Sequence, residues 1–360
     1  MTEQLTIRNM LYKLIAHNLL QADQKAPIAD TLSTTSQKST TPWFVNALIA
    51  IGAWLSVIPF LVFIALLEII HTPVSAILLG IVLIIGTIFL HQLNQKGLFL
   101  NQLALVLNLT GQVLFILGIA GEKHDIATTA LATWFLEIIL IGVYQNNILR
   151  FLSVLIATIA ALVLLYDFEI PQGIHLLIVL LATGAVWYWI AESQHLTDKM
   201  MATLYQPLGY GFVIALQTVL ILSILPDSNS IPTLTWWYST IGLTMVLLAL
   251  EYYLLRYNGI SITALKSYAI FVGTILIGLL LHQSPGIIAA IIVLLLGYQR
   301  GNRVLMGLSI VFLSVFFIAY YYHLNITLLM KSITLMSAGV GLLVLRFVFK
   351  RVFPLSERGE

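Results

Sequence analysis

Residues 298–351 read YQRGNRVLMGLSIVFLSVFFIAYYYHLNITLLMKSITLMSAGVGLLVLRFVFKR, and this stretch decides the fold. It holds two apolar runs of about twenty residues, each long enough to cross a hydrocarbon core of ~30 Å as a helix. Arg300, Arg303, Arg346 and Arg351 bracket the pair on one side. The turn between the runs, His323 to Thr327, carries no lysine or arginine. Such a pattern predicts a transmembrane hairpin with its open end at the cytoplasm, because positive loops stay inside. The rest of the chain repeats it.

Composition agrees. Mean hydropathy is +0.99, with 60% hydrophobic and 9% charged residues over 360 positions, where soluble domains carry about 25% charge. A net charge of +2 is too small to imply a nucleic-acid partner. The absence of cysteine removes disulfides, thiolate metal sites and thiol nucleophiles. The first apolar run begins only near Trp43, too late for a cleavable leader. The first span is therefore expected to act as an uncleaved signal.

Working back to the start, residues 1–20 place Leu5, Ile7, Met10, Leu11, Leu14, Ile15 and Leu19 at helical spacing. They predict an amphipathic cytoplasmic helix, too polar to span. Residues 21–42, rich in Ser, Thr, Gln and Pro, read as a flexible linker. From there to residue 350 twelve spans are expected: 43–69, 74–91, 98–120, 126–144, 148–166, 173–191, 205–225, 234–254, 260–281, 284–298, 303–322 and 327–349. Residues 351–360 form a cytoplasmic tail. The fold class is an all-α, polytopic integral membrane protein.

Sidedness checks that division independently. Of 17 Lys and Arg residues, all but Lys123 and Lys331 fall at alternate connections, at the termini, or (Lys266) just inside span nine. That bias places both termini in the cytoplasm of an inner-membrane protein. Trp236, Trp237 and Tyr238 open span eight, and Tyr320 to Tyr322 close span eleven, where an outer interfacial belt is expected.

The two halves, 43–191 and 205–350, also echo each other. YQNNILRFLSVLI from Tyr144 aligns with YQRGNRVLMGLSI from Tyr298 across a two-residue gap. This reads either as a six-plus-six duplication, with parallel repeats, or as chance likeness among apolar helices whose inner loops carry Asn, Gln and Arg.

The inner loop RGNRVLMGL (Arg300–Leu308) and the outer stretch YYYHLNITLLMKS (Tyr320–Ser332) resemble a family of bacterial polytopic membrane proteins known only as a domain of unknown function. The resemblance implies an inner-membrane protein with neighbouring membrane-protein partners. Such proteins tend to be encoded beside a related membrane family and a small protein with a Gly-Asp-Tyr signature. It implies no activity and no catalytic residues.

Chemistry must then be sought among polar groups inside spans, which are expensive there. Glu137 sits near the middle of span four. Asn108 and Gln112 share a face of span three, four residues apart; Gln217 lies in span seven; Thr263, Lys266, Ser267 and Thr274 make a stripe on span nine. For the amides the plain alternative is interhelical hydrogen bonding, and for Lys266 it is snorkelling to the interface. Ser337 and Gly341 read as a packing face. His71, His124, His175, His282 and His323 fall at or near the outer face, among Glu68, Asp125, Asp167 and Glu169. No pair has a ligand spacing, so neither metal nor cofactor is expected. There is no nucleophile elbow, HExxH helix or Walker loop, and no outer loop large enough for a glycan polymerase. The loop HQLNQKG (91–97) lacks the basic motif of major-facilitator carriers. The leading expectation is a transporter- or permease-like protein of unknown substrate, with Glu137 as a candidate coupling residue; the plain alternative for Glu137 is a structural carboxyl, protonated and donating to Asn108, Gln112 or Gln217. The alternative is a non-catalytic scaffold or accessory subunit, and an enzyme is the least favoured reading.

Overall fold

The computed structural model describes residues 43–66, 71–93, 98–123, 125–191, 199–221, 235–282 and 284–323, with isolated helical positions at Leu329, Ser332 and Met336. Every regular element among them is a helix. In chain order these are α1 (Trp43–Leu66), α2 (Pro73–Leu93), α3 (Leu98–Lys123), α4 (Ile126–Val143), α5 (Asn147–Asp167), α6 (Gly173–Ala191), α7 (Lys199–Ile221), α8 (Trp237–Tyr257), α9 (Leu265–Leu280), α10 (Pro285–Arg300) and α11 (Arg303–His323). They follow the first eleven expected spans one for one. Seven of them, α2 to α6, α8 and α11, are long and apolar enough to cross a membrane. The apolar stretches of α1, α7, α9 and α10 are shorter. The amphipathic helix, the linker, Lys331 and the Ser337–Gly341 face lie outside the described residues, as does all but three positions of the twelfth span.

Burial is inverted relative to a soluble protein. On α2 the residues Leu78, Val82, Ile85 and Phe89 form an exposed apolar stripe, while Thr87 is buried. Asn108, Gln112, Glu137, Arg150, Ser153 and Gln217 are all buried as well. Apolar side chains facing out and polar ones facing in is the arrangement that lipid as solvent selects.

The chain divides into two compact units, residues 1–115 and 116–360. In the first, α2 and α3 meet where Gly80 faces Gly111. A Cβ on Gly80 would come within 2.6 Å of the Gly111 carbonyl oxygen and 2.8 Å of the Phe115 nitrogen. Both obstacles are backbone, so only glycine permits this approach. One to two turns further along, Asn108 Nδ2 donates to Thr87 Oγ1 at 2.9 Å, and Gln112 Nε2 donates to Asn108 Oδ1 at 2.9 Å. The expected shared face of Asn108 and Gln112 is thus a hydrogen-bonded ladder.

In the second unit α4 pairs with α5, α6 with α7, and α10 with α11, while α8 packs against α6, α9 and α10. The core lies among α5 to α8 and α10, centred on Ile178, Leu216, Leu243, Ile288 and Ile292. Two turns joining these pairs are built alike. Asn146 caps α5, its Oδ1 accepting from the backbone N–H of Ile148 and Leu149. Asn302 caps α11 the same way, accepting from Val304 and Leu305. At the matching positions beyond each cap, Leu149 and Leu305, then Ser153 and Ser309, are all fully buried. The α10 helix stops at Gly301, whose φ of 62° is the left-handed cap that glycine adopts without strain.

Candidate functional site

The α4–α5 hairpin carries the most polar chemistry placed inside an apolar span. It begins at Asp125, the N-cap of α4. The Asp125 carboxylate accepts from the backbone N–H of Thr128 at 3.0 Å and from the Thr128 hydroxyl. One turn on, Thr129 Oγ1 donates to the Asp125 carbonyl at 2.9 Å, and Thr133 Oγ1 donates to the Thr129 carbonyl at 2.8 Å. One turn further is Glu137. Asp125, Thr129, Thr133 and Glu137 are each four residues apart and so lie along one face of α4.

Glu137 is fully buried. Among the described residues neither of its carboxylate oxygens has a well-formed hydrogen bond. The nearest polar neighbour is Ser153 of α5, whose hydroxyl faces the carboxyl without closing a good bond. Asn108 and Gln112 are bonded to Thr87 and to each other in the ladder described above, with Gln112 Oε1 left without a partner among the described residues. Gln217 of α7 is also fully buried, with neither amide atom hydrogen-bonded among the described residues. A carboxylate at the centre of a span costs ~2.5–3.5 kcal/mol on insertion scales, so one left without a bonded partner calls for a role.

On the far side of Glu137 from Asp125 lies Arg150, only 2% exposed. Its Nε donates to the Ile141 carbonyl at 3.1 Å. Sequence reading counted Arg150 as an inner-loop charge. The structure turns it inward instead, onto a carbonyl in the last turn of α4, where the helix dipole favours a cation.

Beside the polar file runs a groove of about 520 Å³, lined by Ile116 and Ala120 of α3, by Asp125, Thr129 and Thr133 of α4, and by Ile156, Ala160 and Val163 of α5. Ile126 and Ile159, both more than half exposed, flank its open side. Its length from Asp125 to Thr133 is eight helical residues, or ~12 Å at 1.5 Å per residue. Glu137 lies one turn past its inner end.

Two polar clusters elsewhere join residues named from the sequence to partners that were not. On α8, Glu251 accepts from Thr274 of α9 at 2.5 Å, so the expected span-nine stripe meets a carboxylate on a neighbouring helix. Within that stripe Ser267 donates to the Ser261 carbonyl, Thr263 precedes the start of α9, and the Lys266 side chain lies outside the described residues. Near the start of α6, His175 is held by two bonds. Gln172 Oε1 lies 2.9 Å from Nε2 and Ser239 Oγ 2.6 Å from Nδ1. An amide oxygen only accepts, so Nε2 carries the proton and the Ser239 hydroxyl donates to Nδ1. Trp236 and Tyr238 close around the ring at 5.8 and 5.6 Å. This histidine is a satisfied strut between α6 and α8.

A family model described as "Domain of unknown function (DUF4401)" matches residues 42–352. No curated protein and no solved structure matches the chain.

Proposed function

Since the chain belongs to the DUF4401 family, a family defined without an activity, its function has to be argued from its own residues, and we propose a transporter- or permease-like membrane protein in which Glu137 is the titrating group. The observation that carries this reading is a fully buried carboxyl with no well-formed hydrogen bond among the described residues. It sits at the end of a polar file leading to the membrane edge. A purely structural carboxyl in lipid would be expected to find a partner, because an unpaired polar group there is costly. A carboxyl that loads and unloads a proton must instead leave its oxygens free for part of the cycle.

The same reading includes twelve spans in an inner membrane, with both termini cytoplasmic. It also includes descent from a six-plus-six duplication, which the paired Asn146 and Asn302 caps and the matched burial of Ser153 and Ser309 support. The neighbouring-partner expectation supports the rival, a scaffold or accessory subunit.

Because the chain has no cysteine, accessibility separates the two. In Glu137→Cys, a small charged thiol reagent added to sealed vesicles should label the thiol if a water path reaches the midplane, and should fail in detergent-free membranes if the core is closed. Absence of labelling from both faces, with the variant folded, would remove the transport reading and leave the scaffold.

A further inference from the structure

The groove between α3, α4 and α5 has a specific charge signature. Its walls are aliphatic: Ile116, Ile156, Ala160 and Val163. Its polar lining is Asp125 at the mouth and the hydroxyls of Thr129 and Thr133. Among the described residues no lysine or arginine lines it. A second carboxyl, Glu137, lies one turn beyond the inner end, buried and without a well-formed hydrogen bond among the described residues. The Arg150 guanidinium is turned to the Ile141 carbonyl. A groove with a carboxylate at its mouth, a second carboxyl one turn past its inner end, and no lysine or arginine among the described residues of its lining discriminates against anions by simple Coulomb repulsion. Its volume of about 520 Å³ falls in the ~300–1,000 Å³ range of small-ligand pockets. Its open side, between Ile126 and Ile159, faces where lipid would be.

We infer that this groove binds a lipophilic organic cation. The charge sits between Asp125 and Glu137, and the apolar body lies against Ile116, Ile156 and Ala160. Asp125 is ionised at neutral pH, since the Thr128 hydroxyl and backbone N–H hold its carboxyl below the ordinary carboxylate range. An acyl chain of a phospholipid would fill the walls but leave both carboxyls unanswered, and its phosphate would meet Asp125 with like charge. A fully aqueous cation would lose its hydration to aliphatic walls. A cation carrying its own apolar shell satisfies both constraints and reaches the groove sideways from the bilayer. The inference names the substrate class of the transport reading and rests on that reading for turnover, but not for binding.

Binding and proton release at Glu137 are linked, because the ionised carboxyl attracts the cation. On the packed helices the other charged or titratable residues are Asp125 and Tyr144 at the ends of α4, Arg150, Tyr166 and Asp167 on α5, and Lys199, Tyr205 and Tyr210 on α7.

The test is equilibrium dialysis of tetraphenylphosphonium against the full-length protein in lipid nanodiscs, with tetraphenylborate as the same shape of opposite charge and empty nanodiscs as blank. The cation should bind on the order of tenfold tighter than the anion, and tighter still as pH is raised. Asp125→Asn should weaken it while keeping the cap, since Asn caps as well as Asp. Glu137→Gln should flatten the pH response, and Ala160→Phe should fill the groove and abolish binding. Equal binding of the two ions, or cation binding unchanged in both Asp125→Asn and Glu137→Gln, overturns the inference. So does a co-purified lipid that the cation fails to displace. Carboxyl-dependent binding with Glu137→Cys closed to aqueous reagents would keep the site and remove transport. Labelling of Glu137→Cys without cation binding would do the reverse.

Discussion

At the scale of single residues, two carboxylates on one face of one helix are held in opposite ways. Asp125 spends its charge on α4: the Thr128 hydroxyl and backbone N–H bond to it and lower its proton affinity. A lowered folded value means the cap contributes fully above the unfolded pKa, about 3.9 for Asp. The contribution disappears as pH falls through the lower folded value. Amide exchange at Thr128, corrected for its intrinsic rate, should therefore accelerate in acid in the native protein and stay flat in Asp125→Asn. The same acid acceleration in the Asn variant would show that something other than the Asp125 carboxylate holds that turn. Among the described residues Glu137 has no such well-formed engagement, and its lone position in the run ATWFLEIILIG made it legible from sequence. Ser153 was not legible, because a serine in an apolar helix has no signal until the facing helix is known. Arg150 was misleading for a physical reason. It stands beside a polar turn, where arginines are ordinarily exposed, and only a tertiary contact with the Ile141 carbonyl takes it inside. The threonine file had the right spacing, but threonines in spans commonly bond back to the carbonyl four residues earlier, as Thr129 and Thr133 do. Spacing alone therefore said nothing about a path.

At the scale of elements, hydropathy located all eleven described helices in order, because runs of twenty apolar residues have few other structures open to them. It located their ends less well. Span nine was expected from residue 260, whereas α9 starts at Leu265; the turn 258–264 is tied back by Ser267 Oγ to the Ser261 carbonyl. Span seven was expected from residue 205, and α7 starts earlier, at Lys199. Polar residues at a helix end lower hydropathy without ending the helix. The α10–α11 turn shows how much one side chain can organise. Asn302 accepts from Val304 and Leu305 through Oδ1, and through Nδ2 it donates to the Tyr210 hydroxyl of α7 at 2.7 Å. Asn302→Ala should lose all three bonds and cost ~1–2 kcal/mol, at the strong end of cap substitutions. Asn302→Asp keeps the cap but cannot donate to Tyr210, so it should recover part of that loss. Thermal unfolding in detergent measures both, and an Asn302→Ala variant as stable as the parent would mean that the cap is redundant.

At the scale of the whole molecule, contacts between helices distant in sequence report which ends lie together. Arg300, at the close of α10, donates to the Ile190 carbonyl at the close of α6 at 2.8 Å. Asn302, opening α11, reaches Tyr210 at the midpoint of α7. At the other end, His175 near the start of α6 meets Ser239 near the start of α8, and Thr240 donates to the His282 carbonyl just past α9 at 2.8 Å. These contacts put the end of α6 with the end of α10, and so with the start of α11 across the turn at Gly301, and the starts of α6 and α8 with the end of α9. Strict up-and-down alternation demands the same grouping. The positive-charge count had reached it independently, since Arg150, Arg256, Arg300 and Arg303 all belong to the first end. Two unrelated kinds of observation, loop charge and tertiary hydrogen bonding, thus assign the same parity to α6 and to the helices from α8 to α11. Positive residues are retained in the cytoplasm, so that end should be the inner one. Activity reporters fused after Lys199 and at Glu360 should then be cytoplasmic, and one fused at Asp227 external. The Glu360 fusion adds what parity among the described helices does not reach, since its side depends on one more crossing after α11. A cytoplasmic Asp227 would break the alternation between α7 and α8 and take the twelve-span topology with it. An external Glu360 with the other two as expected would remove only the last crossing.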